Sequence, residues 1–166
     1  RSALDQAGVR FDLIGMDACL MAMIEVAYEI QSCGDILVAS QASERALGWS
    51  YDAFLSELVT NPTMNATTMA QNIISSYITY FPGTSVTLSA INLSKVASLT
   101  RKLDTFAKAI MSDQLTISSL KQITPDYPVI DYEFGYVDIY NLMQSAIQNP
   151  SFSDSVHSAA KDVQTS

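Results

Sequence analysis

Phe11-Asp12-Leu13-Ile14-Gly15-Met16-Asp17-Ala18-Cys19-Leu20-Met21-Ala22-Met23-Ile24-Glu25-Val26-Ala27 is the stretch whose reading decides the fold. It falls into two halves. Phe11 to Met16 is short and apolar, with Gly15 near its end, as a buried strand of a parallel sheet should be. From Leu20 the spacing turns helical, with Leu20, Ile24 and Ala27 on one face and Glu25 and Glu29 on the other. Asp17-Ala18-Cys19 therefore sits at a strand-to-helix junction. Ligands of open α/β sheets gather at the carboxyl ends of strands. A cysteine there also faces the positive end of the helix expected to follow, which favours thiolate. The plainer reading is a small buried hydrophobe between Ala18 and Leu20.

Working outward, residues 1–8 read as the end of a helix stopped by Gly8. Cys33-Gly34 closes the helix after Cys19, with Gly34 expected in the left-handed conformation. Asp35 to Ser40 is a second buried strand. Strand, helix and strand in some thirty residues make a right-handed parallel βαβ unit. Parallel strands end on the same side, so the loop Gln41 to Trp49 should face Asp17 and Cys19.

Ser50 is expected to cap a helix through Val59, ended by Asn61-Pro62. Asn65 or Thr67 caps the next helix, with Met69, Ile73, Tyr77 and Ala70, Ile74, Ile78 as its apolar stripe. Ser85 to Asn92 alternates and reads as a third strand, with Val86, Leu88 and Ala90 inward. Ser94 caps a helix to about Met111. Ser112 to Ile123 reads as a short helix and Thr124 to Gly135 as a loop. Val137 to Gln148 and Ser153 to Gln164 are two final helices. The fold class is α/β, over a single domain spanning 1–166.

Composition limits the function. The 166 residues are 48% hydrophobic and carry a formal net charge of −8. That fits a globular domain with a sizeable core and argues against nucleic acid, which needs clustered Lys and Arg. Lys95, Arg101, Lys102 and Lys108 are read as a solvated helix surface. No apolar run approaches the ~20 residues of a membrane span. Cys19 and Cys33 are the two cysteines. A helix over 20–32 holds them roughly 20 Å apart, too far for a disulfide. Neither CxxC nor a Cys/His metal spacing occurs. Asn65-Ala66-Thr67 and Asn92-Leu93-Ser94 match the glycosylation sequon without further support.

Asp17-Ala18-Cys19-Leu20-Met21, with Phe11-Asp12-Leu13-Ile14-Gly15 before it and Glu25-Val26-Ala27-Tyr28-Glu29 after it, resembles the clostripain family of cysteine peptidases. Val38-Ala39-Ser40-Gln41-Ala42-Ser43-Glu44 with Gly48-Trp49-Ser50-Tyr51 resembles a second landmark of that family. Gly135-Tyr136-Val137-Asp138-Ile139-Tyr140 resembles a third. The resemblance covers most of the chain.

It implies a caspase-like α/β/α sandwich with a mostly parallel sheet. It implies a cysteine endopeptidase that cleaves after Arg or Lys, with Cys19 as nucleophile and Asp17 receiving the basic P1 side chain. By position alone, Asp17 is equally a helix N-cap. Relatives often have an acidic residue just before the Gly-Trp; here it is Leu47. Glu44 either compensates in substrate binding or braces the loop. Trp49 and Tyr51 either wall the pocket or anchor the loop.

A thiol nucleophile needs a base, usually His. The one histidine, His157, reads as a solvated helix residue far along the chain. In caspase-type folds the His lies about 50 residues before the Cys. Such a His would fall before residue 1, and the chain begins with Arg1 rather than Met. The family's precursors are often cut between His and Cys. The expectation is therefore a heavy chain, whose separate N-terminal light chain supplies the His and completes the sheet. Three strands are few for a sheet covered on both faces. The chemistry requires no cofactor; some relatives use calcium, and no EF-hand-like loop is present here. A secreted or envelope location in a bacterium follows from the family alone. The rival reading is a binding or scaffold domain that kept the fold and lost the chemistry.

Overall fold

A computed structural model describes residues 1–113 and 136–165. In chain order its elements are α1 (Ser2–Gln6), β1 (Phe11–Met16), α2 (Ile24–Ile30), β2 (Gly34–Ala39), α3 (Tyr51–Thr60), α4 (Ala66–Tyr80), β3 (Ser89–Asn92), α5 (Leu93–Ser112), α6 (Ile139–Gln148) and α7 (Asp154–Gln164). The expected helix over 112–123 and loop over 124–135 lie almost wholly outside the described residues. The chain divides into two compact units, Arg1–Val96 and Ala97–Ser166.

The first unit holds a three-stranded sheet in the order β1-β2-β3. β1 and β2 run parallel, with Phe11 opposite Gly34 and Met16 opposite Ala39. This is the βαβ unit read from the sequence. Side chains of β2 alternate between two cores, as the period of a strand requires. Leu37 and Ala39 meet Ile14, Ala27, Ile30, Leu93 and Val96 on one face. Val38 meets Trp49, Phe54, Ala70, Ile73 and Tyr77 on the other. Leu37, Val38 and Ala39 are fully buried. Helices thus cover both faces, which explains why the strand sequence is apolar throughout.

The sheet is mixed rather than mostly parallel. β3 is antiparallel to β2, pairing Ala39 with Ser89 and Ile36 with Asn92. Two helices instead of one separate β2 from β3, and the chain re-enters the sheet from the opposite end. β3 is also shorter than the expected 85–92. Its Ala90 is exposed, while Val86 and Leu88, before the strand, pack on the Trp49 core.

Several boundaries shift for local reasons. α2 begins at Ile24, not Leu20, and Leu20 itself takes a φ of 62°. Cys19 therefore does not lie at a helix N-terminus, because the seven-residue α2 starts five positions later. Gly34 is not left-handed but opens β2. A Cβ there would lie 2.8 Å from Ile14 Cδ1 and 3.1 Å from the Phe11 carbonyl oxygen, so close strand contact is what demands glycine. Ser50 precedes α3 without capping it; its hydroxyl donates to Asp52 instead. Asn65 caps α4 by accepting the Thr68 N–H at 2.9 Å. Asn92, not Ser94, holds the start of α5, accepting both the N–H and the hydroxyl of Ser94. Ile78, placed on the apolar stripe of α4, is exposed.

The second unit is helical. Phe106 and Ile110 of α5, Met143 and Ala146 of α6, and Val156, Ala160 and Val163 of α7 share one core. Asp138 of the third landmark caps α6 by accepting the Asn141 N–H at 2.8 Å. Ser153 caps α7. His157 is half-buried rather than solvated, with ring Nε2 2.9 Å from the Asn149 carbonyl oxygen.

Candidate active site at the carboxyl edge of the sheet

β1 and β2 end side by side, and the chain segments leaving them are stitched together. The N–H of Leu20 donates to the Ala42 carbonyl at 3.1 Å, and that of Ala22 to Ser40 at 2.9 Å. These two bonds hold Leu20 in a backbone region that costs a side-chain-bearing residue about 1–2 kcal/mol. Ser40 is buried, and its hydroxyl bonds Thr87 at 2.8 Å and the Ala42 carbonyl at 3.0 Å. Thr87 also accepts the Ala42 N–H at 3.1 Å. The antiparallel run of β3 is what brings Thr87 to this rim. Neither Ser40 nor Thr87 stands out in the sequence, because a small hydroxyl residue beside a strand has no spacing signal.

Residues 17–19 and 44–48 enclose a cleft of about 390 Å³, lined by Asp17, Cys19, Glu44 and Leu47 among others. Cys19 is exposed and free, and Cys33 is buried and free. The Cys19 sulfur accepts the backbone N–H of Glu44 at 3.2 Å. Asp17 caps no helix. Its Oδ2 accepts the Trp49 backbone N–H at 3.0 Å and the Tyr51 hydroxyl at 3.0 Å. Gly48 permits this approach. Its φ is +66°, and a Cβ would stand 2.5 Å from Asp17 Oδ2.

Trp49 anchors the loop. It is buried, its ring lies over Gly15, and a Cβ on Gly15 would come within 3.0 Å of the indole. Trp49 Nε1 donates to both Glu44 oxygens, at 3.2 and 3.0 Å. Tyr51 stacks on Trp49 at 6.4 Å between ring centroids. Glu44 is therefore a brace as well as a lining residue. Burial, then the bond and negative charge of Asp17, push its carboxyl up to about 7 against the opposing donors Trp49 and Tyr77. Tyr77 reaches the site from α4; burial raises its phenol, and it meets Glu44 and the Arg45 backbone. In the sequence Tyr77 is one residue of an apolar stripe, and a stripe does not show where a hydroxyl ends. Leu47, where relatives often have an acid, is 74% exposed at the cleft mouth.

Among the described residues, no group of three His, Cys, Asp or Glu stands together as a metal site. No described helix is long and apolar enough to cross a membrane.

Fold and rim together define an α/β protein with a free thiol and a braced carboxylate at the carboxyl edge of its sheet. The Clostripain family model matches residues 1–165, and the chain belongs to this family of cysteine proteases. No curated protein matches the sequence. Among solved structures, an inactive zymogen C11 protease from Parabacteroides distasonis is 18% identical at a TM-score of 0.65, over 99% of this chain and 43% of that one. A clostripain from Bacteroides thetaiotaomicron, in complex with the peptide inhibitor BTN-VLTK-AOMK, is 21% identical at 0.53, over 63% and 46%. A secreted C11 cysteine protease from the same organism, in complex with an irreversible peptide inhibitor, is 24% identical at 0.53, over 67% and 34%. At these identities the likeness is one of fold. The chain spans less than half the length of each of these three relatives.

Proposed function

We propose that this chain is the Cys-bearing part of an endopeptidase that cleaves after Arg or Lys. The observation that carries the reading is the cleft, where an exposed thiol and a carboxylate two residues away open onto one space. The Cys19 thiolate attacks the peptide carbonyl carbon and forms a C–S bond. The oxyanion is held by the Cys19 backbone N–H and by an N–H beside a histidine. That histidine comes from an upstream polypeptide, the light chain, and it protonates the leaving amine. Water then hydrolyses the thioester and restores the thiol. No cofactor is required for these steps.

Asp17 receives the basic side chain in the cleft, where its Oδ2 already accepts two donors and Glu44 lies against it. The VLTK peptide of the Bacteroides thetaiotaomicron complex, with Lys last, is in keeping with this. The relative described as secreted supports a location outside the cytoplasm. Cleavage between light and heavy chains activates the enzyme, and the light chain completes the caspase-like sheet.

The test uses the protein expressed with its upstream sequence. Cys19→Ala should abolish cleavage of Lys- and Arg-containing peptides. Asp17→Ala should lower the kcat/KM preference for Lys over Leu at P1 about tenfold or more, the scale of a lost hydrogen bond to a charged group. An unchanged Lys/Leu ratio sinks the Asp17 assignment. A protein with no thiol-dependent cleavage at all favours the scaffold reading.

A further inference from the structure

Glu44 touches the sulfur and the pocket wall at once. Its backbone N–H donates to Cys19 Sγ at 3.2 Å. Its carboxyl is gripped by Trp49 Nε1 through both oxygens. The Tyr77 hydroxyl meets the same carboxyl, and Tyr77 also meets the Arg45 backbone next door. Trp49 and Tyr77 both belong to the buried core on one face of the sheet. Residues 40–50 carry no helix or strand of their own; backbone bonds hold Ser40, Ala42 and the Arg45–Gly48 turn, and the side chain of Glu44 tethers the stretch between them.

We infer that Glu44 is a positioning residue for the nucleophile: its side chain, moored to Trp49, holds its own backbone N–H on the sulfur of Cys19. This rests on the reading of Cys19 as the reacting group, and it goes beyond the substrate-binding role given to Glu44 by position. The N–H donates to the sulfur and fixes its direction. It does so before any substrate or upstream histidine arrives.

The charge of the same side chain works the other way. A carboxylate near a thiol disfavours a thiolate, so simple removal of charge should speed alkylation. Loss of the tether should slow it. The two effects have opposite signs and can be separated.

The experiment is the rate of Cys19 alkylation by iodoacetamide at pH 7, resolved from Cys33 by peptide mass, on the protein with its upstream sequence. Glu44→Ala should slow labelling about threefold. The loss is modest because a thiolate with fewer donors is scarcer but more nucleophilic. Glu44→Gln keeps an oxygen for Trp49 and should label at the wild-type rate or faster. Trp49→Phe, which removes the indole N–H, should slow labelling in the same direction as Glu44→Ala. If Glu44→Ala labels as fast as wild type or faster, the tether does not act on the sulfur. If Glu44→Gln slows as much as Glu44→Ala, the mooring is not the cause, and the inference is overturned. Retention of peptide cleavage in Cys19→Ala, a separate measurement, would instead remove the nucleophile assignment and leave the alkylation result standing.

Discussion

Glu44 shows how one side chain can be set by its surroundings against its own chemistry. Folding raises its carboxyl from an ordinary 4.5 to about 7, with burial as the first cause and Asp17 adding to it. Between those values the folded protein keeps a proton that the unfolded chain has released. Stability from this group therefore falls as pH rises from about 4.5 to 7, and is level above that. Glu44→Gln is neutral at every pH. Its unfolding midpoint should match wild type below pH 4.5, rise above it through the window to pH 7, and stay higher at pH 8. Thermal melts at pH 4, 6 and 8 check this, and a constant difference across the three would contradict it. Gly48 is fixed by the same small region: its left-handed φ and the closeness of Asp17 leave no room for a side chain.

At the scale of elements, caps and strand ends matter more than helix propensity. α4 supplies Ala70, Ile73 and Tyr77 to the core behind Trp49, and its first turn is held by Asn65. Asn65→Ala should cost about 1 kcal/mol, the usual effect of losing a side-chain cap. Urea unfolding should show that loss with an unchanged m-value. A cost near zero would mean that packing alone holds the first turn. The parallel pairing of β1 and β2 is the element-level event that makes the site. It delivers residues 17–19 and 40–49 to one edge, where backbone bonds between Leu20 and Ala42 and between Ala22 and Ser40 close the seam.

At the scale of the whole molecule, the sheet among the described residues has three strands for its two covered faces, with β1 at the end of that order. On the proposed reading, a light chain would extend this sheet. A preparation made with the upstream sequence should contain a second polypeptide by mass and N-terminal sequencing. It should also melt at a higher temperature than residues 1–166 alone, since a partner that binds only the folded state stabilises it by mass action. Equal melting temperatures would argue against strand addition by that partner.

The sequence alone determined the βαβ unit, the meeting of the Cys19 and Gln41–Trp49 segments, and the family. Strand and helix periods are local properties, and parallel strands must end on the same side. It did not determine the direction of β3, the late start of α2, or the two hydrogen bonds that Trp49 and Tyr51 donate to Asp17. Nor did it show that Tyr77 and Thr87 reach the rim. These depend on contacts between residues tens of positions apart, where burial, close approach and hydrogen bonding outweigh local preference. Asp17 illustrates the division. Its position beside Cys19 is legible in the chain, whereas its partners exist only because Gly48 and Trp49 fold back over it.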